Sequence, residues 1–176
     1  KELVEREGEL LGEDGLWANE SSLFAPGLNL HRTVYCGRNH EYYSEDSVLT
    51  AYMGNALCVG LKNKGTMAEP KHFAFNHQEA NRSGLSTFMT EQAARENELR
   101  GTQACIEDAN ALAVMTTYNR VGCVTSNAHT GLLLNILRKE WGFKGLMSED
   151  FIQDPAYTKI RMAVHNGVTM TCNTGD

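Results

Sequence analysis

A chain of 176 residues can bury the core of one domain and is too short for two comfortable ones. With 41% apolar and 22% charged residues and three prolines, its make-up is that of an ordinary globular protein rather than a disordered one. The formal net charge of −6, with lysines and arginines scattered, weighs against a nucleic-acid partner, which requires a basic face to displace counterions, and no apolar run approaches a membrane span.

In chain order, hydrophobic periodicity predicts a helix over 2–13, where Leu3 and Leu10, and Val4 and Leu11, recur at helical spacing. Residues 23–25 form a short strand, stopped by the turn signal Pro26-Gly27. A second helix covers 47–62, with Val48, Tyr52 and Ala56, then Leu49, Met53 and Leu57, at i, i+4 steps. Ser47 suits its N-cap and Gly65 its close. A strand over 67–72 follows, then a helix over 91–107 capped by Thr90, with Glu91 where the helix dipole favours an acid. Residues 112–115 are a third strand. Ser126 opens a helix that turns Leu132, Leu133, Ile136 and Leu137 inward. Residues 145–147 are a fourth strand, 155–165 a helix and 168–171 a fifth strand.

Strands alternating with helices of this length indicate βα units on a parallel sheet, an α/β fold. No linker-like stretch divides the chain, so residues 1–176 read as a single domain. Five strands fall short of the eight that close a (β/α)8 barrel, which leaves an incomplete barrel or an open sheet; the abrupt termini favour the first.

The sequence holds neither G-x-G-x-x-G after a strand nor G-x-x-x-x-G-K-[ST], so nucleotide-binding versions of the architecture lose ground. Cys36, Cys58, Cys105, Cys123 and Cys172 are odd in number and contain no C-x-x-C. The expectation is buried free thiols in a reducing compartment. The six histidines show no H-E-x-x-H, so neither metal nor other cofactor is expected. A cytoplasmic location is favoured, with secretion left open because the chain begins at Lys1 without an initiator methionine.

Arg38, Lys71, His72, Tyr118, Asn119 and Asp150 all fall at or just past predicted strand ends. In a (β/α) barrel that face carries the active site. Segment 25–46 puts two arginines, two histidines, three tyrosines and three acids between a strand and a helix. Loops of that length are functional or disordered, and the aromatic density argues against disorder; a packed loop held by its own ion pairs is the alternative. Adjacent residues on a regular strand face opposite ways. Lys71 and His72 therefore reach one ligand only where the strand ends, bulges or carries an unusual peptide bond. Asn76-His77-Gln78-Glu79 and Asn81-Arg82 add a second polar cluster. By residue type alone Met115 and Tyr118 read as core. Glu149 and Asp150 compete as the strand-end carboxylate, and a helix N-cap is the other role open to Asp150.

Together these segments resemble the N-terminal barrel domain of family 3 glycoside hydrolases, the β-glucosidase group. The motifs are A-P-G-L-N-L-H-R…C-G-R-N-x-E-Y-Y-S-E-D (25–46), K-H-F-A-F-N-x-Q-E-x-N-R (71–82), T-E-Q-A-x-R-E (90–96), V-M-T-x-Y-N-R-V-G (114–122) and L-R-x-E-W-G-F-K-G (137–145). They run colinearly over essentially the whole chain. The resemblance implies a (β/α)8 TIM-barrel type fold with about five βα units present. It implies a retaining enzyme that hydrolyses terminal non-reducing β-D-glucosyl or xylosyl residues through a glycosyl-enzyme intermediate.

The same resemblance implies Asp150, five residues past Gly145, as the nucleophile, ahead of Glu149. It implies that Arg38, Lys71 and His72 hold sugar hydroxyls in the −1 subsite, and that Met115, Tyr118 and Phe151 line the same pocket. The acid/base is implied to be a glutamate on a following α/β domain outside this chain, so the isolated chain is expected to be inactive. That domain and the remaining barrel strands would be its partners beside a small carbohydrate substrate. The N-acetylglucosaminidase branch keeps a histidine acid/base in K-H-F-P-G-H-G, and K-H-F-A-F-N-H departs from it. His77 is then a lesser candidate for that role. An N-acetylglucosaminidase-type member and a non-catalytic sugar-binding copy are the alternative readings. Asp150 must stay ionised to attack, and Lys71, Arg38 and hydrogen-bond donors are expected to favour its charged form. Strand alternation is expected to turn Glu149 away.

Overall fold

The computed structural model describes residues 1–151 and 159–172. Its elements begin with α1 (Glu2–Trp17), β1 (Ser22–Leu23), α2 (Ser47–Asn63) and β2 (Met67–Ala68). After β3 (Ser86–Thr87) come α3 (Glu91–Ala93), a π-helical turn (Ala94–Glu98) and α4 (Arg100–Glu107). Then follow β4 (Ala113–Met115), β5 (Arg120–Val121), β6 (Val124–Thr125), a π-helix (Gly131–Glu140), β7 (Leu146–Ser148) and α5 (Ile160–His165). The fold is α/β.

Parallel segments lie side by side in chain order. β1 pairs with β2 in the register Ser22↔Met67. Past β2 the chain bridges Gly27 to Lys71 and Phe73 to Thr116, with Met115 N–H donating to Pro70 O at 3.0 Å and Phe73 N–H to Met115 O at 2.8 Å. β4 pairs with β7, Ala113 opposite Leu146. The fifth expected strand shrinks to a bridge from Met170 to Ser148. Of the expected helix over 155–165, residues 155–158 lie outside the described residues.

One apolar core forms where the sheet meets the later helices, around Phe73, Phe75, Val114, Leu133, Leu137, Trp141 and Met147. A second lies under α2 and α4, around Leu28, Leu57, Leu61 and Cys105. Burial of these side chains drives the layering, at roughly 25 cal/mol per Å² of apolar surface.

Several local features differ from the sequence-based expectation. Asp46, not Ser47, caps α2: its extended backbone lets the carboxylate accept Leu49 N–H at 2.7 Å, a bond that a negative charge at a helix N-terminus strengthens. Ser47 instead donates to Glu96 O. The leucines of α1 do not face the core, and Leu3 is 86% exposed. Gly8 and Gly12 are the buried positions, because α1 and α2 approach so closely that a Cβ on Gly60 would lie 2.1 Å from Glu5 O. The helix after Thr90 and the one after Ser126 both contain π-type turns, with Leu99 N–H bonded to Ala94 O and Trp141 N–H to Ile136 O. A small unanticipated sheet, β3-β5-β6, sits past the strand ends; Gly122, at φ +58°, turns its hairpin. Cys36, Cys58 and Cys105 are buried free thiols, but Cys123, in the turn between β5 and β6, is exposed and Cys172 is half-buried.

Candidate active site

The site is assembled from segments that leave the parallel strands at the same end. The Lys71–His72 peptide is cis, and both side chains address one hollow. Lys71 Nζ lies 3.1 Å from Glu41 Oε2, and His72 Nε2 lies 3.5 Å from Asp150 Oδ2. Asn29 holds the His72 backbone from both sides, donating to its carbonyl and accepting its N–H, each at 3.0 Å. Tyr42 OH is 3.3 Å from His72 Nδ1.

Two carboxylates organise the cations around this hollow. Glu41 bonds Arg38 Nε as well as Lys71. Glu79 lies 3.8 Å from Arg38, 2.9 Å from Arg82 and accepts from Asn76 at 3.0 Å. Arg82 also stacks over the Tyr118 ring, 4.3 Å from its centroid, a favourable placement against the ring's negative face. Glu79 and Arg82 border an open concavity of about 800 Å³. Three cations thus face two carboxylates, leaving an excess of positive charge for Asp150.

Asp150 is largely buried. Its Oδ1 accepts Phe151 N–H at 2.9 Å, and the Tyr118 hydroxyl donates to Phe151 O. Burial raises the Asp150 carboxyl above its ordinary range, and this outweighs Phe151 N–H, Arg82, Arg38 and Tyr118, all of which pull it down. Arg38 and the hydrogen-bond donors favour the charged form, as expected, but desolvation disfavours it more. Lys71 is engaged by Glu41, which dilutes its effect. The His72 imidazole is held well below its usual value by burial and by Arg38, Lys71 and Arg82, so it is neutral. Burial raises the Tyr118 and Tyr42 phenols, keeping both protonated.

Glu149 takes the other side of the strand, as alternation requires. It is 1% exposed, accepts from Asn127 Nδ2 at 2.6 Å, and burial raises its carboxyl. Ser148, on the Asp150 side, donates to the buried Glu69. Met115 is buried at the end of β4, Tyr118 is buried beside Arg82, and Phe151 is half-exposed. His77 bonds Glu98, which Arg32 also holds.

Sequence reasoning singled out Arg38, Lys71, His72, Tyr118 and Asp150, which the structure gathers. It gave no role to Arg82, Glu41, Glu79, Tyr42 or Asn76. The signal for them lay in N-x-E-Y-Y and Q-E-x-N-R, whose acids sit within a few residues of the arginines they hold.

The profile of the glycosyl hydrolase family 3 N terminal domain matches residues 1–175. Beta-glucosidase A of Butyrivibrio fibrisolvens is 37% identical over 140 residues, which is 80% of this chain and 17% of that protein. The chain thus spans about a sixth of that relative's length. The structure of beta-glucosidase 3B from Thermotoga neapolitana in complex with glucose aligns at TM-score 0.89 and 35% identity, covering 97% of this chain and 23% of that one. DesR, a beta-glucosidase from Streptomyces venezuelae in complex with D-glucose, aligns at TM-score 0.91 and 31% identity, covering 98% and 22%. With a family profile matched over nearly its full length, the chain belongs to glycosyl hydrolase family 3, in the N-terminal domain of that family.

Proposed function

We propose that residues 1–176 form part of a (β/α)8 barrel that supplies the nucleophile and most of the −1 subsite of a retaining β-glycosidase. The observation that carries the reading is the Asp150 carboxylate facing His72 at 3.5 Å on a strand-end face rimmed by Arg38, Lys71 and Arg82. The relatives named beta-glucosidases, and the two neighbours in complex with glucose, support a terminal β-D-glucosyl unit as the substrate; a xylosyl unit is the alternative.

In this scheme Asp150 attacks the anomeric carbon. An ester C–O bond forms as the glycosidic C–O bond breaks, and the departing oxygen takes a proton from a second carboxyl about 5–5.5 Å away. The same group then draws a proton from water, which releases the sugar and restores Asp150. That second carboxyl is assigned to a further domain of the enzyme, in keeping with relatives several times longer than this chain. Arg38, Lys71 and His72 hold the ring hydroxyls, while Met115, Tyr118 and Phe151 close the pocket. Arg38 and Arg82 oppose the desolvation that burial imposes on the charged form of Asp150, and their pull on it strengthens as a sugar displaces water.

A 2-fluoroglycoside with a good leaving group tests the assignment in the complete enzyme. Covalent label is expected on Asp150 alone after peptide mapping. Label on Glu149, or none at all, overturns it.

A further inference from the structure

We propose that Tyr42 is a positioning residue that fixes the tautomer of His72, so that the Nε2–H of a neutral imidazole points at Asp150. The catalytic use of this device rests on the glycosidase reading above; the tautomer itself does not.

His72 and the groups around it form a closed set of hydrogen-bond partners. His72 is 3% exposed, and with Arg38, Lys71 and Arg82 nearby it stays neutral, so one ring nitrogen carries a hydrogen and the other a lone pair. Nδ1 has two neighbours, Tyr42 OH at 3.3 Å and Asn29 Oδ1 at 3.2 Å. The orientation of Asn29 is set by its pair of bonds to the His72 backbone, and its Oδ1 already accepts His72 N–H at 3.0 Å. The orientation of Asn76 is set by Glu79: a carboxylate at 3.0 Å demands the NH₂ end. The other hydrogen of that NH₂ goes to Tyr42 OH at 2.9 Å. The Tyr42 oxygen therefore receives a hydrogen from Asn76, and its own hydrogen is directed to His72 Nδ1.

With Nδ1 accepting, Nε2 carries the hydrogen and faces Asp150 Oδ2. The opposite tautomer gains one bond, from Nδ1–H to the second lone pair of Asn29 Oδ1 at 3.2 Å, and is penalised twice. Tyr42, itself buried, would lose the acceptor for its hydrogen, and the Nε2 lone pair would be turned on a carboxylate oxygen. Both penalties act in a buried site, where an unmade hydrogen bond is most costly. The edge-on packing of the two rings, 86° apart with centroids 6.3 Å apart, restrains the imidazole in this pose. The relay runs Glu79, Asn76, Tyr42, His72, Asp150, and Tyr42 never has to touch a sugar.

Long-range ¹H–¹⁵N spectra of the ¹⁵N-histidine-labelled chain read the tautomer directly, with His72 assigned by loss of its signals in His72→Gln. Wild type is expected to show a protonated Nε2 and a bare Nδ1, whereas a protonated Nδ1 overturns the proposal without any variant. Tyr42→Phe is expected to shift the tautomer ratio by about tenfold towards Nδ1–H, the equivalent of one net hydrogen bond; an unchanged ratio in a folded sample overturns it. In the complete enzyme Tyr42→Phe should lower kcat/KM about tenfold while 2-fluoroglycoside still labels Asp150. Absence of label in wild type counts against the glycosidase reading; label with an unmoved tautomer counts against Tyr42.

Discussion

Replacing Glu149 with glutamine keeps the oxygen that accepts from Asn127 and turns the second carboxylate oxygen into an N–H donor. In the wild type, Glu149 Oε1 takes the Asn127 hydrogen at 2.6 Å, while Glu149 Oε2 and Asn127 Oδ1 both lack a partner among the described residues. Two acceptors left over on one residue pair are what an ionised carboxylate imposes. A proton on Oε2, or an amide in its place, supplies the missing donor. Burial accordingly holds the Glu149 carboxyl above its ordinary value, the Asn127 bond pulling the other way. A carboxyl whose folded pKa exceeds its unfolded one stabilises fully below the unfolded value and loses that contribution as pH rises through the folded value. At neutral pH Glu149 is thus a liability. An unpartnered buried polar atom costs about 1–3 kcal/mol, so Glu149→Gln should gain about that much at pH 7. For a domain of this size each kcal/mol raises Tm by roughly 2–4 °C. Below about pH 4, the unfolded carboxyl range, the wild type recovers its proton and the two proteins should converge. Urea unfolding of both between pH 4 and 8 decides the matter. A variant less stable at pH 7, or a gain of equal size at both ends of the range, refutes the reasoning.

Gly60→Ala should destabilise by about 3 kcal/mol in chemical denaturation, since its Cβ would meet Glu5 O at 2.1 Å and force α1 off α2. At Glu98, burial pushes the carboxyl up, but the hydrogen bond and charge of His77, with Arg32, more than offset this and hold it below its ordinary value. Its stabilisation is therefore present above the unfolded carboxyl value and fades as pH falls through the folded one. Glu98→Gln should cost about 1–3 kcal/mol at pH 7, a difference that narrows in acid unfolding titrations. Asp150→Asn should reduce glycoside turnover in the complete enzyme by at least about a thousandfold without lowering Tm, because burial already disfavours the charge it removes.

The parallel segments and the helices between them were legible because each is a short apolar run or a helical period, and both follow from the residues' own chemistry. The constraint on Lys71 and His72 was legible too: adjacent strand residues cannot share a target without a backbone irregularity, and the peptide between them is cis. What resisted reading was partnership. The pairs Arg38–Glu41 and Glu79–Arg82 are local, three residues apart, but nothing in the sequence says that Glu41 also reaches Lys71 or that Glu79 also reaches Arg38, because those contacts form between separate excursions from the strand ends. Helix α1 misled for a related reason. Its leucines recur at helical spacing, yet the stripe that meets α2 is glycine, a residue that apolar periodicity does not score. The net direction of the Asp150 shift was not legible because charges can be counted in a sequence whereas desolvation depends on how deep the fold sets a group.

Ser148, Glu149 and Asp150 show how much one register decides. Three polar residues in a row at a strand end each find a different environment: Ser148 meets Glu69, Glu149 meets Asn127, and Asp150 meets His72. Pairing of Ala113 with Leu146 and Met115 with Ser148 sets which of them look into the hollow. A slip of one residue would exchange the two carboxylates, presenting Glu149 to the cations and burying Asp150 against the helix layer. The residues that hold the register are apolar. Met147 is fully buried in the core with Val114 beside it, and moving either to the hollow would strand an apolar side chain among charges. The identity of the proposed nucleophile is therefore fixed less by the carboxylates than by the packing of the strand that precedes them.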